Sequence, residues 1–165
     1  MLSPSVDADS GSAIDDQTAI DLLRGLVALP SLSGQEEHAV SYLVERMNAL
    51  GLAAHIDQAG NAVGTTGSGN RHIVLLGHID TVPGEISVRI EDGLLWGRGS
   101  VDAKGPLATF VAAAASAGDR LKSRVTVVGA VGEEAIGSVG ANQVKHWDAP
   151  DYCIIGEPSG WTRVT

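Results

Sequence analysis

One histidine and five acids stand where side chains could do chemistry. His78 and Asp80 follow the apolar run HIVLLG, Glu133 and Glu134 follow VTVVGAVG, and Glu157 follows YCIIG. Asp102 opens an Ala-rich segment. Carboxylates with a single imidazole suit a hard or borderline divalent ion. Converging carboxylates without a cation would repel one another and resist ionisation, a penalty that bound metal removes. Each residue also has a plainer reading. His78 can be a loop histidine, although the neighbouring Asp80 could orient its ring. Glu133 and Glu134 can be a solvated pair, Asp102 a helix N-cap, and Glu157, before Pro158, a turn residue. The residues alone leave a metal centre and a set of ordinary loop positions both open.

A shared site requires strands that end together. Ile20, Leu23, Leu26 and Val27 recur at helical spacing between Asp16 and Leu29, and Pro30 marks the stop. Ser33 and Glu36 fit a capping box for a second helix, whose buried stripe is Val40, Leu43, Val44, Met47 and Leu50, with Gly51 as the C-cap. A strand pair is expected at 54–57 and 62–65 around a Gly60-Asn61 turn. Residues 72–76 read as a buried strand and 86–96 as a hairpin. Leu107–Ala117 reads as a buried helix with Pro106 in its first turn, and 125–131 as another strand. Residues 138–146 suggest a helix and 152–155 a third buried strand. This alternation predicts an α/β fold with a mainly parallel sheet flanked by helices. In such sheets ligands gather beyond the carboxyl ends of the strands, where His78, Glu133, Glu134 and Glu157 fall.

Composition narrows the classes. With 165 residues, 44% hydrophobic and 19% charged, the chain reads as one folded domain. The Ser/Asp-rich residues 1–13 read as a disordered tail ahead of a domain from 14 to 165. A net charge of −9 lacks the basic footprint of a nucleic-acid or anionic-membrane binder. One cysteine, Cys153, excludes a disulfide framework and a Cys-rich zinc module. No secretory signal is recognisable, and Leu107–Ala115 falls short of the ~18 apolar residues of a membrane span. The cytoplasm is therefore the expected compartment. The segment from Gly97 to Asp102 has Asp102 where a dinucleotide fingerprint needs its third glycine. His38, His55, His72 and His146 have no acidic constellation around them.

Four ordered segments resemble a known family. GHIDTVPG (77–84), GRGSVDAKGPL (97–107), GEEAIGSVGA (132–141) and IGEPS (155–159) are similar to the M20 family of dinuclear zinc aminoacyl hydrolases. That resemblance implies a zinc-peptidase-like catalytic domain with two divalent ions, Zn2+ or Co2+. It implies that His78 and Glu157 bind one ion, Glu134 the other, and that Asp102 bridges them. Glu133 becomes the general base, passing a proton from water to the leaving amine, and Asp80 orients His78. A cis peptide is expected after the bridging residue, at Asp102-Ala103.

The segment Asp102-Ala103-Lys104-Gly105-Pro106 narrows the likeness to the LysK-type hydrolases, which release lysine or ornithine from the amino-group carrier protein LysW in lysine and arginine biosynthesis. That carrier is acidic, so Arg89, Arg98 and Lys104 are the candidate contacts. A small N-acyl amino acid is the alternative substrate, as in acetylornithine deacetylase or succinyl-diaminopimelate desuccinylase. A non-catalytic module binding a metal or a partner is the reading from another class. The family pattern also has a late histidine ligand and a lid or dimerisation domain, and its complete members are expected to be homodimers. Neither feature is matched here, so the chain is expected to be the first part of a catalytic domain, weakly active or inactive alone.

Overall fold

The computed structural model describes residues 14–159. The tail expected over 1–13 lies outside the described residues.

Helix α1 (Asp16–Ala28) begins at Asp15, whose carboxylate accepts from the Thr18 amide at 2.7 Å. Its buried face is Leu22, Leu26 and Val27. Helix α2 (Glu37–Ala49) buries Ala39, Val40, Leu43 and Met47. Gly51, at φ +87°, takes the left-handed turn that ends it. The expected capping box does not form. Glu36 stands at the N-cap position with its side chain making no cap hydrogen bond, because both it and Ser33 bond to distant loops.

Strands β1 (Ala53–Ile56) and β2 (Ala62–Thr66) pair antiparallel. Strand β3 (His72–His78) is followed by a separate two-stranded sheet of β4 (Arg89–Glu91) and β5 (Leu94–Trp96). Ile86 and Val88 lie before that hairpin, not within a strand. Helix α3 (Lys104–Ala117) starts earlier than the apolar run suggests. Its N-cap position is Ala103, so Asp102 sits in the preceding loop and is not the cap. A short 3-10 turn (Gly118–Arg120), strand β6 (Arg124–Ala130), helix α4 (Val139–Val144) and strand β7 (Tyr152–Ile155) complete the described elements.

The main sheet has the order β1-β2-β6-β3-β7. Strand β3 runs parallel to both neighbours, β6 and β7, while β2 joins β6 antiparallel. The α/β fold with a parallel region beneath the site is therefore present, with the antiparallel β1–β2 pair added on one side. Alternation along β6 divides its side chains between two faces. Val125 and Val127 join Leu22, Leu26, Leu43, Met47, Leu107 and Val111 in the core beneath α1, α2 and α3. Val128 and Ala130 pack with Val63, Val74 and the α4-side residues Val144 and Trp147. Strand β7 differs from its expectation. Among the described residues it has a neighbour on one side only, and Tyr152, Ile154 and Ile155 are exposed.

Candidate metal centre

The parallel register sets β3 and β6 level, with His78 opposite Ala130. The residues just beyond both strands therefore emerge at one edge. The β7 segment, aligned with β3 through Leu76 and Ile155, delivers Glu157 to the same edge. The loop before α3 brings Asp102 across from the side.

His78 is the centre of this arrangement and is buried. Its Nδ1 donates to the Asp80 backbone carbonyl at 3.0 Å and lies 3.4 Å from Asp80 Oδ1. That bond turns Nε2 toward the acids, the orientation a ligating imidazole requires. Nε2 lies 3.0 Å from Asp102 Oδ1, 3.6 Å from Glu157 Oε1 and 3.9 Å from Glu133 Oε2. Two candidate ligand sets share the ring: His78 with Asp102 and Glu157, and His78 with Glu133 and Glu134. Within each set the donor atoms lie within 4.8 Å of one another. One buried imidazole facing four exposed carboxylates is a donor set that fits a divalent cation.

The electrostatics carry the same imprint. Burial opposes the charged ring of His78, but its hydrogen bonds to the Asp80 and Asp102 carboxylates and the charge of Glu157 outweigh it, raising its pKa to about 9. Burial and neighbouring acids together push Glu134 and Glu157 above the usual carboxylate range.

Asp80 is fully buried and serves as a hub. Its carboxylate accepts from Ser33 Oγ at 2.7 Å, from the Glu133 amide at 3.1 Å and from the Glu134 amide at 3.0 Å. Burial alone would raise its pKa, yet the His78 and Ser33 hydrogen bonds and these two amides bring it down to about 2. Asp80 therefore fixes the Glu133–Glu134 loop as well as the histidine. The peptide bond Asp102-Ala103 is cis, as the family pattern implied.

All six expected residues thus come together at one edge: His78, Asp80, Asp102, Glu133, Glu134 and Glu157. The sequence reading missed several supports. Ser31 Oγ donates to the Ile79 carbonyl at 2.8 Å, and Glu36 Oε1 accepts from the Gly132 amide at 3.1 Å. Lys104, read as a surface contact, is buried instead. Its Nζ donates to the carbonyls of Leu26 at 3.1 Å and Leu29 at 2.7 Å, closing the end of α1. Arg98 Nε donates to the Gly84 carbonyl. Arg89 stays at the surface, paired with Glu91 and stacked over Trp96 at 4.8 Å.

The profile of peptidase family M20/M25/M40 matches residues 74–165. The chain belongs to this family. Among curated M20 relatives, it is 48% identical over 154 residues to the [LysW]-lysine hydrolase of Deinococcus radiodurans. It is 47% identical over 156 residues to a putative [LysW]-lysine/[LysW]-ornithine hydrolase of Thermococcus kodakarensis. Each match covers 92% of this chain and 42% of the relative. The fold is also that of a tripeptidase from Staphylococcus aureus, with a TM-score of 0.71 at 25% identity, covering 89% of this chain and 44% of the other. The chain thus spans about two fifths of the length of the M20 proteins it matches. Among the described residues, no helix is long and apolar enough to cross a membrane.

Proposed function

We propose that this chain contributes the first part of the metal centre of an amide hydrolase that releases lysine or ornithine from the carrier protein LysW. The observation that carries the reading is the convergence of Asp102, Glu133 and Glu157 on the buried Nε2 of His78. The substrate follows from relatives named for that reaction at 48% and 47% identity. The setting would be cytoplasmic amino-acid biosynthesis.

In this reading His78, Asp102 and Glu157 would hold one divalent ion, and Glu134 with Asp102 would hold a second. Zinc or cobalt there would supply Lewis-acid polarisation of the amide carbonyl and lower the pKa of water. The chain's own residues do the rest. Asp80 keeps the His78 ring turned, with Nδ1 donating to its backbone carbonyl and Nε2 aimed at the acids. Glu133 stands within the group at 3.9 Å from His78 Nε2, exposed to an incoming substrate. It accepts a proton from water on one carboxylate oxygen and returns it to the leaving α-amine. Arg89 and Arg98 remain the basic candidates for the acidic carrier, whereas Lys104 is removed from that role by its burial.

A desuccinylase of Beijerinckia indica is also related, at 31% identity over 168 residues, so free N-acyl amino acids are the competing substrates. The deciding experiment compares lysine release from LysW-lysine with release from N-acetyl-lysine and from N-succinyl-diaminopimelate. It uses the enzyme that contains this chain, alongside metal analysis. Faster release from the carrier conjugate, with two equivalents of metal, is expected. Equal or slower release from the conjugate removes the carrier from the proposal.

A further inference from the structure

The segment joining α1 to α2 runs directly beneath the metal centre, and it is tied there by side chains as well as backbone. The Thr81 amide donates to the Ser31 carbonyl at 2.9 Å, and Leu32 forms a parallel bridge with Thr81. Ser31 Oγ reaches the Ile79 carbonyl. These contacts seat the segment against the His78–Asp80 loop. Beyond them, two side chains hold two different ligand loops. Ser33 Oγ donates to Asp80 Oδ2 at 2.7 Å, and Glu36 Oε1 accepts from the Gly132 amide at 3.1 Å. Glu36 is buried, with 6% of its surface exposed, although it stands at a helix start where an acid is ordinarily solvated. The amides of Glu133 and Glu134 return to Asp80. The hydrogen bonds therefore close a ring through Ser33, Asp80, the Gly132–Glu134 loop and Glu36.

We propose that Ser33 and Glu36 are positioning residues that set the spacing between the His78 loop and the Glu133–Glu134 loop, and so the affinity and geometry of the metal centre. The inference rests on the metal-site reading above. Neither residue points at an ion. Each acts through another group, as outer partners of metal ligands do, and such partners typically contribute about 10–100-fold in metal affinity. Ser33 also holds the second oxygen of Asp80, leaving that carboxylate no freedom to rotate away from the Glu133 and Glu134 amides.

The test is a Co2+ titration of the enzyme that contains this chain, followed by visible absorption and by calorimetry. It compares wild type with Ser33→Ala, Ser33→Thr, Glu36→Ala and Glu36→Gln. Thermal midpoints in EDTA are recorded beside each titration. Ser33→Ala and Glu36→Ala are expected to weaken Co2+ binding by about 10-fold or more and to shift its absorption bands. Ser33→Thr and Glu36→Gln, which keep the hydroxyl donor and an acceptor oxygen, are expected to restore the bands. Ser33→Ala removes one oxygen from a partly buried site, so it stays readable should Glu36→Ala fail to fold. Wild-type affinity and bands in Ser33→Ala overturn the inference while leaving the metal site intact. Absence of Co2+ bands in the wild-type enzyme that contains this chain overturns the metal-site reading and this inference with it.

Discussion

His78 Nε2 lies 3.0 Å from Asp102 Oδ1, joining a buried ring to an exposed carboxylate from a different loop. In the metal-free chain that contact is an ion pair, because the ring pKa is raised to about 9. A histidine raised from 6.5 contributes stability that is complete below pH 6.5 and is lost as pH climbs through 9. The shift caps the effect at about 3 kcal/mol, reduced by screening at the exposed acids. Thermal denaturation in EDTA should therefore show a falling midpoint from pH 6.5 to 9. His78→Asn should flatten that slope, and a slope identical to wild type would remove His78 as its source.

Added Zn2+ or Co2+ should raise the melting temperature at neutral pH, since a cation relieves the repulsion among Glu133, Glu134, Glu157 and Asp102. EDTA should reverse the gain. Calorimetric scans with and without metal provide the check, and Asp102→Ala should lose most of the response.

Glu133→Ala should separate binding from chemistry. In the enzyme containing this chain, metal content is expected to stay near wild type while kcat falls by about 10²–10⁴-fold, the usual contribution of a general base. Metal analysis paired with turnover reads both quantities, and unchanged kcat would exclude Glu133 from the proton transfer.

Lys104→Ala should destabilise the chain by about 2–4 kcal/mol. It leaves the Leu26 and Leu29 carbonyls without their donor and opens space beside them. Urea denaturation measures this, and a loss under 1 kcal/mol would show that water caps α1 equally well.

Gly140→Ala is expected to cost about 1–3 kcal/mol, because a Cβ there would press on Asn61 Oδ1 and on the Val131 backbone. Asn61 Oδ1 accepts from the Val131 amide at 3.1 Å, just before the Glu133 loop. The same denaturation experiment gives the value.

The edge at which the acids meet was legible because all of them except Asp102 follow an apolar run, and an apolar run in an α/β chain predicts a strand ending in a loop. The supports were not. Ser33 and Glu36 have the spacing of a capping box, and local spacing cannot reveal that their partners lie 47 and 96 residues away. Lys104 escaped because lysine is rarely buried, and only the position of α1 shows where its ammonium goes. The exposure of β7 escaped because apolar composition tells what a strand could bury, not whether a neighbour stands beside it.

The sheet order also fixes when the site can exist. Strands β3 and β6 align residues about fifty positions apart, and β2 and β6 residues about sixty apart. Chain topologies dominated by such distant pairings fold slowly, because loop-closure entropy is spent before the contacts that reward it. The ligand loops hang from the ends of those pairings. If the loops reach register after the rate-limiting step, an ion bound by them stabilises contacts absent from it. It should therefore slow unfolding and leave the folding rate nearly unchanged.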